Sequence, residues 1–400
     1  MTPSRPETKV LPTSRPGRQS HWYDFHAAQQ PDWDDPQARD EICTQLAERP
    51  VLVSVDELRA LRQELAAVAA GRSLVLQAGD CAESFAQSTP EHAAAKADTV
   101  ATLADRLAAD TGTAVVRIGR IAGQYAKPRS APTELVGERE LPSFRGHIVN
   151  DPAPEEDARR HRPQRLLQAY EASRTTARAL RERPQRLWTS HEALILDYEV
   201  PLVRFDEAAA DLFLGSTHLP WVGERTRQSD GAHVRLLADV VNPVGCKVSG
   251  SGPIEELLRV CERLDPDRTP GRLTLISRFG ADHVARQLPD VASAVRAAGH
   301  PVVWLCDPMH GNTYRSRVGL KTRQLSVIQQ EVRGFVTALR AAGVHPGGLH
   351  LEVSAQPVTE CVGAEVADEE QLTTRYTTLC DPRLSPRQAA EVVRTFTEGL

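Results

Sequence analysis

Apolar residues recur along the chain in two rhythms. Short, largely apolar runs at residues 74–79, 114–119, 186–190, 219–223, 244–248, 273–277, 302–306 and 349–353 read as strands. Between most of them the apolar positions move to three-and-four spacing. That pattern predicts helices over 90–109, 164–183, 254–264, 283–299 and 322–342. Strands that alternate with helices pair in parallel. Eight of them predict an α/β fold closed as a (β/α)8 TIM barrel rather than left as an open sheet.

The flanks divide the chain further. Residues 1–20 are polar and Pro-rich and read as a flexible arm. Residues 21–70 form an extension packed on the barrel: an irregular segment over 20–50, then a helix over 51–70. The barrel itself takes 71–400, with a loop-rich stretch at 131–163 and a closing helix at 383–399.

The residues at the strand exits point to chemistry. At or shortly past the ends of the successive runs stand Cys81, Arg120, His191 with Glu192, Glu224 with Arg225, Lys247, Arg278, His310 and Glu352. The carboxyl ends of barrel strands converge on one face, so these side chains are expected around one pocket.

Composition narrows the setting. The 400 residues carry a net charge of -5 and are 40% hydrophobic, with no apolar run near the ~20 residues that span a bilayer. The amino terminus lacks the hydrophobic core of a signal peptide, so a cytoplasmic protein without a membrane partner is expected. Seven scattered cysteines read as free thiols. Basic segments without interleaved aromatics argue against a nucleic-acid partner.

Two constellations carry the candidate chemistry. Cys81, His310, Glu352 and Asp381 offer a thiolate, an imidazole and two carboxylates. That mixed donor set suits a divalent metal, Mn²⁺, Co²⁺, Fe²⁺ or Zn²⁺, of which Mn²⁺ or Co²⁺ is expected first. The alternative for each residue alone is a structural role. The segment RIGRIAGQYAKPRS, 117–130, and the run GERTRQ, 223–228, concentrate cations and glycines; Lys247 and Arg278 add two more cations at later strand ends. Arginine gives phosphate a bidentate partner, and glycine lets a backbone come close to it. Arg120, Lys127, Arg129, Arg225, Lys247 and Arg278 are expected on ligand phosphate and carboxylate. Arg117, Arg235 and Arg323 are expected in ion pairs on a solvated rim.

Several blocks, among them QAGDCAESF, GRIAGQYAKPRS, WTSHEALILDYE, WVGERTRQSDGAH, CDPMHGNT, HPGGLHLEV and RYTTLCDPRL, closely resemble the class II 3-deoxy-D-arabino-heptulosonate 7-phosphate (DAHP) synthases. The resemblance runs from about residue 22 to the carboxyl terminus. It implies a metal-dependent condensation of phosphoenolpyruvate with D-erythrose 4-phosphate, the entry to the shikimate pathway, in a homo-oligomer with a dimer favoured. It implies metal ligation by Cys81, His310, Glu352 and Asp381, and a phosphoenolpyruvate pocket of Arg120, Glu224, Arg225, Lys247 and Arg278. Catalysis would fall to Lys247, Glu224 and Arg278, with Glu224 or Lys247 handling the proton of the attacking water. The aldose phosphate would lie on Lys127, Pro128, Arg129 and Ser130.

The chain departs from the family pattern at three places. The insert around 150–190 is short, so inhibition by Phe, Tyr or Trp is not expected, and specialised metabolism is. His147 stands in FRGHIVN where the family usually has an acidic residue, beside the expected aldose site. After Lys247 the turn reads Val-Ser-Gly-Ser-Gly-Pro253. These departures leave two alternatives: the same chemistry on an amino sugar phosphate, or a non-catalytic paralogue acting as a binding subunit.

Overall fold

A computed structural model describes residues 22–400; the stretch read as an arm lies outside the described residues. Eight parallel strands close a barrel: β1 (Ser73–Gly79), β2 (Ala114–Arg120), β3 (Trp188–Glu192), β4 (Leu219–Val222), β5 (Val244–Val248), β6 (Leu273–Ser277), β7 (Val303–Cys306) and β8 (Gly348–Glu352). Each pairs with the next in chain order, and β8 returns to β1. Every strand lies within two residues of its expected bounds. Ten helices are described: α1 (Pro36–Ala47), α2 (Val55–Ala69), α3 (Pro90–Thr111), α4 (Gln164–Arg181), α5 (Leu196–Glu199), α6 (Ala232–Asp239), α7 (Ile254–Leu264), α8 (Val284–Ala297), α9 (Leu325–Ala341) and α10 (Pro386–Gly399). None is long and apolar enough to cross a membrane.

The β/α alternation lapses between β3 and β4. There the chain makes the four-residue α5, a single 3-10 turn at Val200–Leu202 and a hairpin pairing Val203–Asp206 with Asp211–Leu214. A second hairpin, Thr133–Val136 with Arg139–Pro142, stands inside the stretch expected to be loop. The segment 20–50 also corrects the expectation, because α1 occupies its second half. Asp35 caps it by accepting from the Ala38 N–H at 2.9 Å, and Pro36 opens its first turn. The apolar face of α1 is thin, Ile42 and Leu46 with a buried Arg39 salt-bridged to Asp197, which hid its periodicity.

The barrel's amino-terminal mouth is closed by α2. A capping box of Ser54 and Glu57 starts that helix. Its Leu61, Leu65 and Val68 pack on Val75, Val116, Trp188, Leu219 and Val303, which project inward from the strands. Each such side chain contributes about 1.5–3 kcal/mol by leaving water. With that end filled by apolar packing, polar chemistry is left to the opposite face. The register brings its residues together: Gly79 is level with Arg120 on one side and Glu352 on the other.

Candidate active site

Glu352 ends β8 fully buried and sits at the centre of the carboxyl-terminal face. Its Oε1 accepts from Arg120 at 3.1 Å and lies 3.1 Å from His310 Nε2, while Oε2 accepts from Arg323 at 2.9 Å. Burial alone would raise this carboxyl. The His310, Lys127 and Arg323 side chains outweigh it and hold Glu352 well below the usual carboxylate range. Arg323 corrects an expectation: it does pair with a carboxylate, but it is completely buried in the site instead of lying on a solvated rim. Arg117 and Arg235 behave as expected, paired with Asp105 and Asp230.

Lys127, expected among the phosphate grips, turns its ammonium into this cluster. Nζ lies 2.7 Å from Asp381 Oδ2, 2.9 Å from Cys81 Sγ and 3.8 Å from Glu352 Oε1. Lys321 holds the other Asp381 oxygen at 2.9 Å. Burial pushes the Cys81 thiol well above its usual range, aided by a hydrogen bond to Cys380 and by Glu352, with Lys127 opposing. Cys81, Glu352 and Asp381 thus converge on a lysine cation, and His310 joins them through Glu352. Among the described residues no three His, Cys, Asp or Glu side chains stand closed up as a metal cage.

The carboxylate of Asp307 joins two of the expected residues. It accepts from Lys247 Nζ at 2.7 Å and lies 2.7 Å from His310 Nδ1. Burial pushes Lys247 below the usual lysine range, with Asp307 opposing and Arg120 and Arg278 assisting. Arg278 reaches the His310 carbonyl at 3.2 Å, and its buried Nε has no partner. Sequence reasoning passes over Asp307. The signal for it is its place three residues before His310 in CDPMH.

Two carboxylates border the same mouth. Glu224 Oε1 accepts from Arg227 Nε at 2.9 Å and NH2 at 2.7 Å, so Arg227 rather than Arg225 neutralises it. Arg225 is exposed. Glu192 ends β3, and its buried Oε1 has no hydrogen-bond partner. It lies against Gly223, where a Cβ would come within 2.1 Å of that oxygen. From the sequence, Glu192 stands out only as a strand-end residue.

The expected aldose-phosphate loop is divided. Arg129 pairs with Glu134 of the Thr133–Pro142 hairpin, and its backbone N–H donates to Gln29 Oε1 at 2.8 Å. Ser130 is exposed, and Pro128 is half-buried. His147 is buried between Phe85 and Phe144, with ring centroids at 5.2 and 5.5 Å. Arg165 stands 3.3 Å from its Nδ1, and its Nε2 has no partner. Burial, reinforced by Arg165, lowers His147 to about 4.

A sequence profile of the Class-II DAHP synthetase family matches residues 17–185 and 182–397. The chain belongs to that family. It is 46% identical over 379 residues to a probable phospho-2-dehydro-3-deoxyheptonate aldolase of Pseudomonas fluorescens, covering 92% of this chain and 94% of the relative. A phospho-2-dehydro-3-deoxyheptonate aldolase of Streptomyces coelicolor is 38% identical over 433 positions, covering 94% and 96%. That alignment is longer than the 400-residue chain, so the Streptomyces relative carries residues that have no counterpart here. The two pieces of the profile match meet at 182–185, just past the end of α4. A solved DAHP synthase from Thermotoga maritima has a TM-score of 0.42 at 16% identity, over 82% of this chain and 68% of that one.

Proposed function

We propose that this enzyme condenses phosphoenolpyruvate with D-erythrose 4-phosphate, giving DAHP and phosphate. The observation that carries the reading is the gathering of Arg120, Lys247 and Arg278 beside Cys81, His310, Glu352 and Asp381 on the carboxyl-terminal face, in a chain of this family.

The donor set fits a divalent metal. A thiol and two carboxylates are already drawn around a cation, the Lys127 ammonium, with the His310 imidazole on one of those carboxylates, which supports competition between that ammonium and a bound ion. Held by Cys81, His310, Glu352 and Asp381, Mn²⁺ or Co²⁺ would supply Lewis acidity toward the aldose carbonyl. The chain's own residues do the rest. Arg120, Lys247 and Arg278 take the phosphate and carboxylate of phosphoenolpyruvate and hold its enol face toward the aldehyde. Carbon 3 bonds to the aldehyde carbon through the enol π electrons, the aldehyde oxygen takes up a proton from solvent, and carbon 2 becomes cationic. Water bonds to carbon 2 and gives one proton to a carboxylate; the bond from carbon 2 to the phosphate oxygen then breaks as the new hydroxyl becomes the ketone carbonyl, its proton leaving with the phosphate. Glu192 is favoured for that proton over Glu224, because Arg227 already neutralises Glu224; each carboxylate keeps one buried oxygen without a partner, Glu192 Oε1 and Glu224 Oε2. Lys127 leaves Asp381 for the aldose phosphate, joining Arg129 and Ser130.

The same reading extends to regulation and setting. The profile break at 182–185 and the longer Streptomyces relative support loss of a regulatory insert. The enzyme is accordingly proposed to resist Phe, Tyr and Trp, to serve specialised metabolism in the cytoplasm, and to work as a homodimer. His147 supports a second reading in which the acceptor is an amino sugar phosphate: its Nε2 is an unused hydrogen-bonding atom at a position the family usually fills with an acid.

One experiment separates these readings. Phosphate release from phosphoenolpyruvate is followed with a panel of aldose phosphates and an amino analogue, with and without chelator. Erythrose 4-phosphate should turn over, chelator should stop it, and millimolar aromatic amino acids should not. Preference for the amino analogue selects the second reading. No release with any acceptor, metal being supplied, leaves only the non-catalytic paralogue.

A further inference from the structure

Behind Arg120 runs a hydrogen-bonded chain whose polarity can be read from both ends. At one end, the Gly119 carbonyl can only accept, so the Ser190 hydroxyl donates to it at 2.8 Å. The Ser190 oxygen is then left to accept from Gln77 Nε2 at 2.9 Å. That orients the Gln77 amide and turns its Oε1 to His350 Nδ1, 2.7 Å away, which must carry the proton. At the other end, a guanidinium has only N–H groups to offer. The Arg120 NH1 lies 2.5 Å from His350 Nε2, which must therefore be a bare lone pair. Both ends demand the same tautomer.

The surroundings make the chain the sole support of that nitrogen. Gln77, Ser190 and His350 are wholly buried and Arg120 is 2% exposed, so water does not replace a lost bond. Parallel register sets Gln77 level with His350 and Arg120 level with Ser190. Trp221 walls the group, its ring centroid 5.2 Å from the Arg120 guanidinium carbon and 5.4 Å from the His350 ring at 87°. The other Arg120 nitrogens are tied in front: Nε to the Asp80 carbonyl at 3.0 Å, NH2 to Glu352 at 3.1 Å and to the Cys81 carbonyl at 3.4 Å. The second N–H of NH1 is thus aimed by the His350 contact.

We propose that Ser190, Gln77 and His350 are positioning residues that lock the Arg120 guanidinium in the orientation that receives phosphoenolpyruvate, with His350 held as the Nδ1–H tautomer. The proposal rests on the reading that Arg120 grips phosphoenolpyruvate. None of the three touches substrate. They act by removing the rotational freedom that the arginine would otherwise lose on binding.

The test uses the full-length, metal-loaded enzyme. His350→Leu should raise KM for phosphoenolpyruvate about tenfold or more, with kcat held within about threefold and KM for the aldose phosphate unchanged. His350→Gln should recover most of that loss, since an amide can accept from Arg120 and donate to Gln77. Gln77→Leu should show the same KM-weighted defect. Independently of turnover, the ¹⁵N-histidine spectrum of the wild type should contain a protonated Nδ1 and a bare Nε2 in the resonance that His350→Gln removes. If His350→Leu does not fold, the wild-type tautomer and Gln77→Leu decide. An Nε2–H tautomer at His350 overturns the proposal. So does an unchanged phosphoenolpyruvate KM in His350→Leu when Arg120→Lys raises it. If Arg120→Lys itself leaves that KM unchanged, the assignment of Arg120 falls instead, and the tautomer still decides the chain.

Discussion

Lys127→Met removes the ammonium that Cys81, Asp381 and Glu352 share, and leaves their shapes nearly untouched. Deleting one partner of a buried ion pair costs about 3–5 kcal/mol, because the stranded charge stays out of water. Unfolding entropy near the midpoint is about 2.1 cal/mol/K per residue, or roughly 0.8 kcal/mol/K for this chain. The chelator-treated variant should therefore melt about 4–6 °C below the treated wild type. A metal at a hundred times its Kd returns about 2.7 kcal/mol, or roughly 3 °C. In the wild type that gain is smaller, since the incoming ion first displaces the ammonium. Scanning calorimetry of both proteins, with chelator and then with excess Mn²⁺, reads all four states. The reasoning is refuted if the treated variant melts within about 1 °C of the wild type, or if Mn²⁺ stabilises the wild type more than the variant.

Three further outcomes are expected. Glu192→Gln should lower kcat about a hundredfold or more with little change in KM for phosphoenolpyruvate; near-normal kcat would return the water's proton to Glu224 or Lys247. His147 binds a proton only near pH 4 when folded but near 6.5 when unfolded, so the stability it contributes is complete above pH 6.5 and falls by about 3 kcal/mol as pH drops to 4. His147→Phe should flatten that limb of a stability–pH curve, with the like-shifted His233 leaving a parallel slope; an unchanged curve contradicts the burial argument. Peroxide should take two electrons and two protons from the Cys81 and Cys380 thiols, which share a hydrogen bond, and expel the metal as the disulfide forms. Metal content measured before and after reductant should show full recovery, and Cys380→Ser should abolish the loss.

The barrel was legible because its strands are buried on both faces and read as largely apolar runs, with a charged or metal-competent side chain at or shortly past the end of each. Helix α1 was not, since Arg39 occupies its buried face, paired there with Asp197. The two hairpins were missed because their strands span four residues each, too short for alternation to stand out. In the site, the identity of the cations was legible but not their direction. Nothing in AKPRS says that Lys127 turns toward Cys81 while Arg129 turns toward Glu134. Likewise Arg225 and Arg227 are equivalent on paper, and only the fold decides which meets Glu224.

The plug formed by α2 has a consequence for how the polypeptide is made. Its Leu61, Leu65 and Val68 leave the ribosome before any barrel strand, yet they pack on Trp188, Leu219 and Val303, which are synthesised far later. The barrel cannot close until Gly348–Glu352 arrives to join Ser73–Gly79. Through most of translation the greasy side of this helix has no permanent home. A nascent chain stalled before residue 303 should therefore recruit a chaperone at α2. An Ala substitution of Leu65 should relieve that dependence during synthesis while weakening the finished enzyme.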